Sequence, residues 1–164
     1  MSDEIKRVDT ALQALISKAK TLMMSIPSET ESLSEIGVSP FIQHEGHLYI
    51  YASHLSAHIR QLQGSTKAVF MIIADESKSQ NIWARHRLKF QANVIEIMRD
   101  DPRFDVACDR IKDAHGPVMD LIRNFADFHL FEITPETGVF VSGFGAAFSV
   151  SGADFAVGAK LRSS

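Results

Sequence analysis

Residues Tyr49–Leu62 read YIYASHLSAHIRQL, and the change of period inside this stretch sets the fold class. Leu48 and Ile50 face one way along an extended segment, and Tyr49 and Tyr51 face the other. Both faces are partly apolar, which suits a strand covered on both sides. The strand ends at Ala52, Ser53 follows, and a short helix is expected over Ser56–Leu62 with Ser56 as its N-cap. Backbone N–H groups at a helix start attract anions, and the Ser53 and Ser56 hydroxyls and Arg60 add donors. Chemistry alone leaves two readings open: a seat for phosphate or propionate groups, or an ordinary capped helix with His58 and Arg60 solvated.

Working outward, Gly37–Gln43 and His47–Ala52 form a hairpin around Glu45-Gly46. Ile5, Val8, Leu12, Leu15 and Ile16 recur at helical spacing, which predicts an amphipathic helix over Asp3–Ala19. Thr21–Ile26 is a short apolar strand, and Pro27–Glu35 is a polar loop. Lys67–Ala74 is nearly all apolar and reads as a buried central strand. Leu88–Met98 alternates, then changes phase at Val94-Ile95, which predicts a β-bulge there. Asp101-Pro102 opens a helix that Gly116-Pro117 splits in two. Phe128–Ile133 and Thr137–Val141 read as two strands around the turn Thr134-Pro135-Glu136. The Gly-, Ala- and Ser-rich end, from Gly143 on, is expected to be a loose surface tail.

These elements predict an α+β, mainly β chain: an antiparallel split barrel of about six or seven strands with peripheral helices. Its 164 residues are the size of one domain. The expected division is a helix over 1–19, a barrel over 20–150 and a flexible tail over 151–164.

A net charge of −3 gives no overall basic field for nucleic acid. The single cysteine, Cys108, excludes an internal disulfide and a cysteine-rich zinc site, and it lies on an apolar helix face as a packing residue. Met1-Ser2-Asp3-Glu4 does not resemble the start of a signal peptide, and no stretch approaches the ~20 apolar residues of a membrane span. The expected compartment is the cytoplasm. Nucleotide-binding, lipase and zincin motifs are absent from the sequence. Among the seven histidines, His54 and His58 are spaced for one helical face, but two ligands make a weak metal site.

Two further stretches carry chemistry. In Trp83–Phe90, WARHRLKF, Arg85, His86 and Arg87 either bind a carboxylate or phosphate or protect a solvated edge strand. In Asn124–Phe131, NFADFHLF, Asp127 lies in an apolar neighbourhood. It either caps the strand entry or serves a site.

Together these segments resemble the haem-utilisation (HugZ/HutZ-type) branch of the pyridoxamine 5'-phosphate oxidase-like, FMN-binding split barrels. The resemblance runs from about Lys20 to Val150. It rests on Lys20-Thr21-Leu22, Ser39-Pro40-Phe41, YIYASHLSAHIRQL, WARHRLKF, DFHLFEITPETGVFV and the turn Gly143-Phe144-Gly145. It implies a homodimer with two ligand sites at the interface. Flavin-using members hold the FMN phosphate with a serine, an arginine and a lysine, where this chain has Ser56, Ala57 and His58, so FMN is disfavoured. Haem-handling members carry a histidine matching His58, an arginine matching Arg87 and an aspartate matching Asp127 that supports the haem ligand. In the haem-degrading members the axial histidine follows the segment matching Val150. Ser151–Ser164 holds no histidine, so the ligand expected here is His58, with His86 second.

The resemblance thus implies a haem-binding, haem-delivering or haem-degrading protein. The alternatives are an FMN-dependent oxidoreductase and a non-catalytic relative. The expected site comprises Asp127 as the catalytic group, Ser53, Ser56, His58, Arg85 and Arg87 around the cofactor, and His58 on the metal.

Overall fold

The structure is a computed structural model that describes residues 1–162. Helix α1 (Asp3–Lys18) leads into strands β1 (Thr21–Pro27), β2 (Ser34–Pro40), β3 (Ile42–His44) and β4 (His47–Ser53), followed by helix α2 (Ala57–Gln63). Strands β5 (Lys67–Ile73) and β6 (Arg87–Ile97) precede helices α3 (Pro102–His115) and α4 (Val118–Ile122). Strands β7 (Phe128–Gly143), β8 (Ala146–Ser151) and β9 (Ala156–Lys160) complete the described chain.

All nine strands join one antiparallel sheet in the order β2-β1-β5-β6-β7-β4-β3, with β8 on β7 and β9 on β8. The sheet curls as a split barrel and does not close. β7 is the branch point. Both its halves pair with β6, its first half also pairs with β4, and its second half also pairs with β8.

The two-sided strand expected at His47–Ala52 is present. Leu48 and Ile50 enter the barrel core with Phe70, Phe90 and Phe131, while Tyr49 and Tyr51 join Phe104, Cys108 and Met119 under α3 and α4. Cys108 packs there, and burial pushes its thiol up to about 11. Helix α1 contributes Val8, Leu12, Leu15 and Ile16 to the barrel core. Glu45 and Gly46 both take positive φ, as the tight hairpin requires.

Three expectations are corrected. The bulge lies on the neighbouring strand and not at Val94-Ile95: β6 keeps its alternation through Val94, and the register shifts where Gln91 faces Thr137 and Ala92 faces Pro135. Glu136 is therefore the extra residue, on β7. Thr134-Pro135-Glu136 is this bulge and not a turn, so the two predicted strands are one. Proline, lacking an N–H, is tolerated at such a break in the ladder.

The region after Gly143 is also not loose. Phe148, Val150 and Phe155 are buried, and the Phe155 ring meets Phe90 edge-on at 5.0 Å. Small residues suggested a tail, but the few large ones fall on the inward face and pin it. Ser163 and Ser164, the end of the predicted tail, lie outside the described residues.

Candidate functional site at the β4–α2 connection

Ser53 ends β4, and its Oγ donates to Asp127 Oδ2 while accepting the Leu55 N–H at 3.1 Å. The His54 N–H donates to the Asp127 carbonyl at 2.9 Å. The end of β4 is thereby tied to the entry of β7. The Ser53 hydroxyl holds the Asp127 carboxyl below the usual carboxylate range, with His54 and His129 adding to the effect. Asp127 is thus both the strand-entry group and part of a polar cluster.

Two arginines build this loop, and of these the sequence reading singled out only Arg60. Arg99 donates to the Arg123 carbonyl at 2.8 Å and the Phe125 carbonyl at 2.7 Å, which fixes the chain just before Asp127. Arg60 donates to the His54 and Leu55 carbonyls at 2.8 and 3.0 Å. Arg60 therefore braces the connection while its side chain stays exposed to solvent.

His129 is the partner sequence reasoning missed. Its Nε2 lies 2.7 Å from His54 Nδ1, and its Nδ1 lies 3.5 Å from Glu96 Oε2. Gln63 of α2 donates to the other Glu96 oxygen at 3.0 Å. The strand register carried a usable signal: Ala52 pairs with His129, and Glu96 pairs with Phe131 two residues on. These residues share the inward face at the barrel mouth.

Ser56 occupies the N-cap position of α2, but its hydroxyl makes no cap bond, contrary to expectation. Ser53 satisfies the Leu55 N–H just ahead of it. His58 is the second residue of α2, with its ring against Gly37 of β2, where a Cβ would overlap the imidazole. Burial pushes the His58 imidazole down, partly offset by Glu35.

Arg85 and Arg87 lie elsewhere. Arg85 Nε donates to the Ala74 carbonyl at 2.6 Å, and Arg87 Nη1 donates to the Arg85 carbonyl at 3.0 Å. Arg85 and His86 line a cleft of about 810 Å³ with Lys18, Lys20 and Lys78. From Arg87 to Glu96 the strand runs nine residues, about 30 Å of extended chain. Within one chain the two arginines therefore do not meet Ser53, Ser56, His58 and Asp127. Among the described residues, no group of three His, Cys, Asp or Glu is arranged to hold a metal ion, and no helix is long and apolar enough to cross a membrane.

No protein-family model matches the chain. The chain is 29% identical over 148 residues to Heme oxygenase HutZ of Vibrio cholerae serotype O1, covering 90% of this chain and 84% of that protein. The crystal structure of HutZ, the heme storage protein from Vibrio cholerae, superposes with a TM-score of 0.76 at 24% identity, over 90% of this chain and 98% of that one. Campylobacter jejuni ChuZ superposes at 0.82 with 24% identity, over 93% of this chain and 61% of that one. A pyridoxamine 5'-phosphate oxidase-like protein of Listeria innocua shares the fold at 0.61, with 10% identity, over 83% of this chain and 99% of that one. The chain is thus similar to a HutZ protein along nine-tenths of its sequence, and it shares the split-barrel fold of these solved structures.

Proposed function

We propose that this protein binds haem as a cytoplasmic homodimer, in a pocket that each chain completes for the other. The observation that carries the reading is the cluster at the β4–α2 connection, in a chain similar to a haem oxygenase along most of its length. The donor set fits the ligand. Neutral imidazoles suit iron, guanidinium groups match the two oxygens of a propionate, and the exposed Leu55 and Phe125 offer apolar surface to a porphyrin face.

The shared site follows from the sheet's outer face. Ile36 and Val38 of β2 are 77% and 60% exposed; Met23 pairs directly with Val38 and Met71 across β1 and β5, and Val69 lies on the same face opposite Ser25. An apolar stripe on a sheet face calls for a partner surface. Arg87 lies on the same outward face, beside Ile73 and next along β6 to Lys89, which pairs with Met71. A second copy packed two-fold on this face brings the Arg87 end of one chain to the Asp127 end of the other. In that arrangement Ser53, Ser56, His58 and Asp127 come from one chain and Arg85 and Arg87 from its partner. The iron ligand is an imidazole of the β4–α2 connection or the first turn of α2, where the sequence nominates His58. Asp127 then orients the ligand shell and supplies a fixed negative charge beside it.

The test is a titration of the purified protein with hemin and, separately, with FMN. Saturable uptake of one hemin per chain with a sharpened Soret band supports the reading, and Arg87→Ala should weaken that uptake by about tenfold or more, the loss of one charge-assisted bond. Sub-micromolar FMN binding without saturable hemin uptake contradicts it.

A further inference from the structure

We propose that His54 Nε2 is the iron-binding nitrogen, and that His129 and Glu96 are the positioning residues that hold it ready. The inference rests on the haem-binding reading above and names the ligand within that site.

The three side chains come from three elements: Glu96 from β6, His129 from β7 and His54 from the connection after β4. The carboxylate facing His129 favours one arrangement of protons when both imidazoles are neutral. Glu96 takes the Gln63 amide N–H on Oε1, and its Oε2 faces His129 Nδ1 at 3.5 Å as an ion-pair contact. The negative charge of Glu96 favours the His129 proton on Nδ1, the nitrogen facing it, which leaves a lone pair on Nε2. That lone pair accepts from His54 Nδ1–H at 2.7 Å. His54 is thus fixed with its lone pair on Nε2. This nitrogen makes no hydrogen bond among the described residues and is not buried, so it remains in contact with solvent.

A metal-binding histidine characteristically ties its other ring N–H to an acceptor that fixes the tautomer and raises the basicity of the ligating nitrogen. His54 has that support, with a carboxylate relayed through a second imidazole. Its main chain is also held on both sides, since its N–H donates to Asp127 and its carbonyl accepts from Arg60. His58 has no such support: its ring makes no hydrogen bond among the described residues and is wedged against Gly37. An imidazole oriented before the ligand arrives loses less entropy on binding it.

The test follows hemin binding and the iron–imidazole stretch of the ferrous complex in wild type, His54→Ala, His58→Ala, His129→Leu and His129→Gln, with thermal unfolding to show that each variant folds. His54→Ala should lose the iron–imidazole band, and added imidazole should restore it. His129→Leu should weaken hemin binding about tenfold, as loss of an outer-shell partner does, and raise the midpoint potential because the ligand becomes less basic. His129→Gln, which keeps an acceptor toward His54 and a donor toward Glu96, should recover most of both. A band that survives in His54→Ala, or that disappears in His58→Ala instead, overturns the assignment and leaves the haem-binding reading standing. A wild type that takes up no saturable hemin removes both.

Discussion

The Tyr49 hydroxyl donates a 2.6 Å hydrogen bond to Glu132, a carboxylate buried under α3. Arg103 lies 3.2 Å from both Glu132 oxygens and is itself gripped by Asp101, whose carboxyl it holds at about 2. Burial, with the Glu132 bond behind it, pushes the Tyr49 phenol well above its ordinary range. This network anchors α3 to the outer face of β4 and β7, on the far side of the strands that carry the site. Arg103→Ala leaves the Glu132 carboxylate with one donor and should cost about 1–3 kcal/mol, because Arg103 is half-exposed and water replaces part of the ion pair. Urea denaturation measures this, and a loss under 0.5 kcal/mol would show that solvent already satisfies Glu132.

The end of the chain predicts a larger effect. Phe155 is buried in the barrel core against Phe90. Phe155→Ala should destabilise by about 3–5 kcal/mol, the range for emptying a buried aromatic site. An unchanged midpoint would mean that β8 and β9 are dispensable to the fold.

Charge on the outer stripe should separate the copies. Val38→Asp and Met23→Glu each place a carboxylate in the apolar face of β1 and β2. Light scattering should report about twice the chain mass for wild type and the single-chain mass for the variants, since a two-fold contact meets each substitution twice. Wild type at the single-chain mass removes the shared pocket.

His58 gives a pH dependence of defined sign. Its imidazole is held below the ordinary value near 6.5 by burial, so the unfolded chain takes up this proton first. Its contribution to stability is full above about pH 6.5 and falls as the pH drops toward the lower folded value. The slope of unfolding free energy against pH in this window should be smaller in His58→Gln. A slope that is the same in both proteins shows that the ring is not desolvated.

The legible part of the fold was its periodicity. The two-sided strand at Tyr49–Tyr51, the Glu45-Gly46 hairpin, the Asp101-Pro102 start and the Gly116-Pro117 break are all local patterns, and the structure has each of them. What the sequence concealed depended on partners. A bulge belongs to a pair of strands, so the phase change at Val94-Ile95 could not show that Glu136 was the extra residue. Phe155 is a lone aromatic among small residues, and only the curl of the sheet makes it core.

The same division holds at the site. Ser53 and Asp127 could be nominated singly, but their hydrogen bond joins residues 74 positions apart. His54 and His129 are 75 apart, so no local spacing marks them as a pair. Arg85 and Arg87 were grouped with Ser53 and the α2 residues because one pocket was expected, whereas Arg87 opens β6 and the Ser53–Asp127 pair lies beside its far end.

Sedimentation velocity of the hemin-loaded protein, followed at the Soret wavelength, tests the shared haem site most directly. The account predicts that the haem absorbance moves as one boundary at twice the chain mass, with one haem per chain. Haem absorbance that travels with single chains, or that sediments apart from the protein, would contradict it.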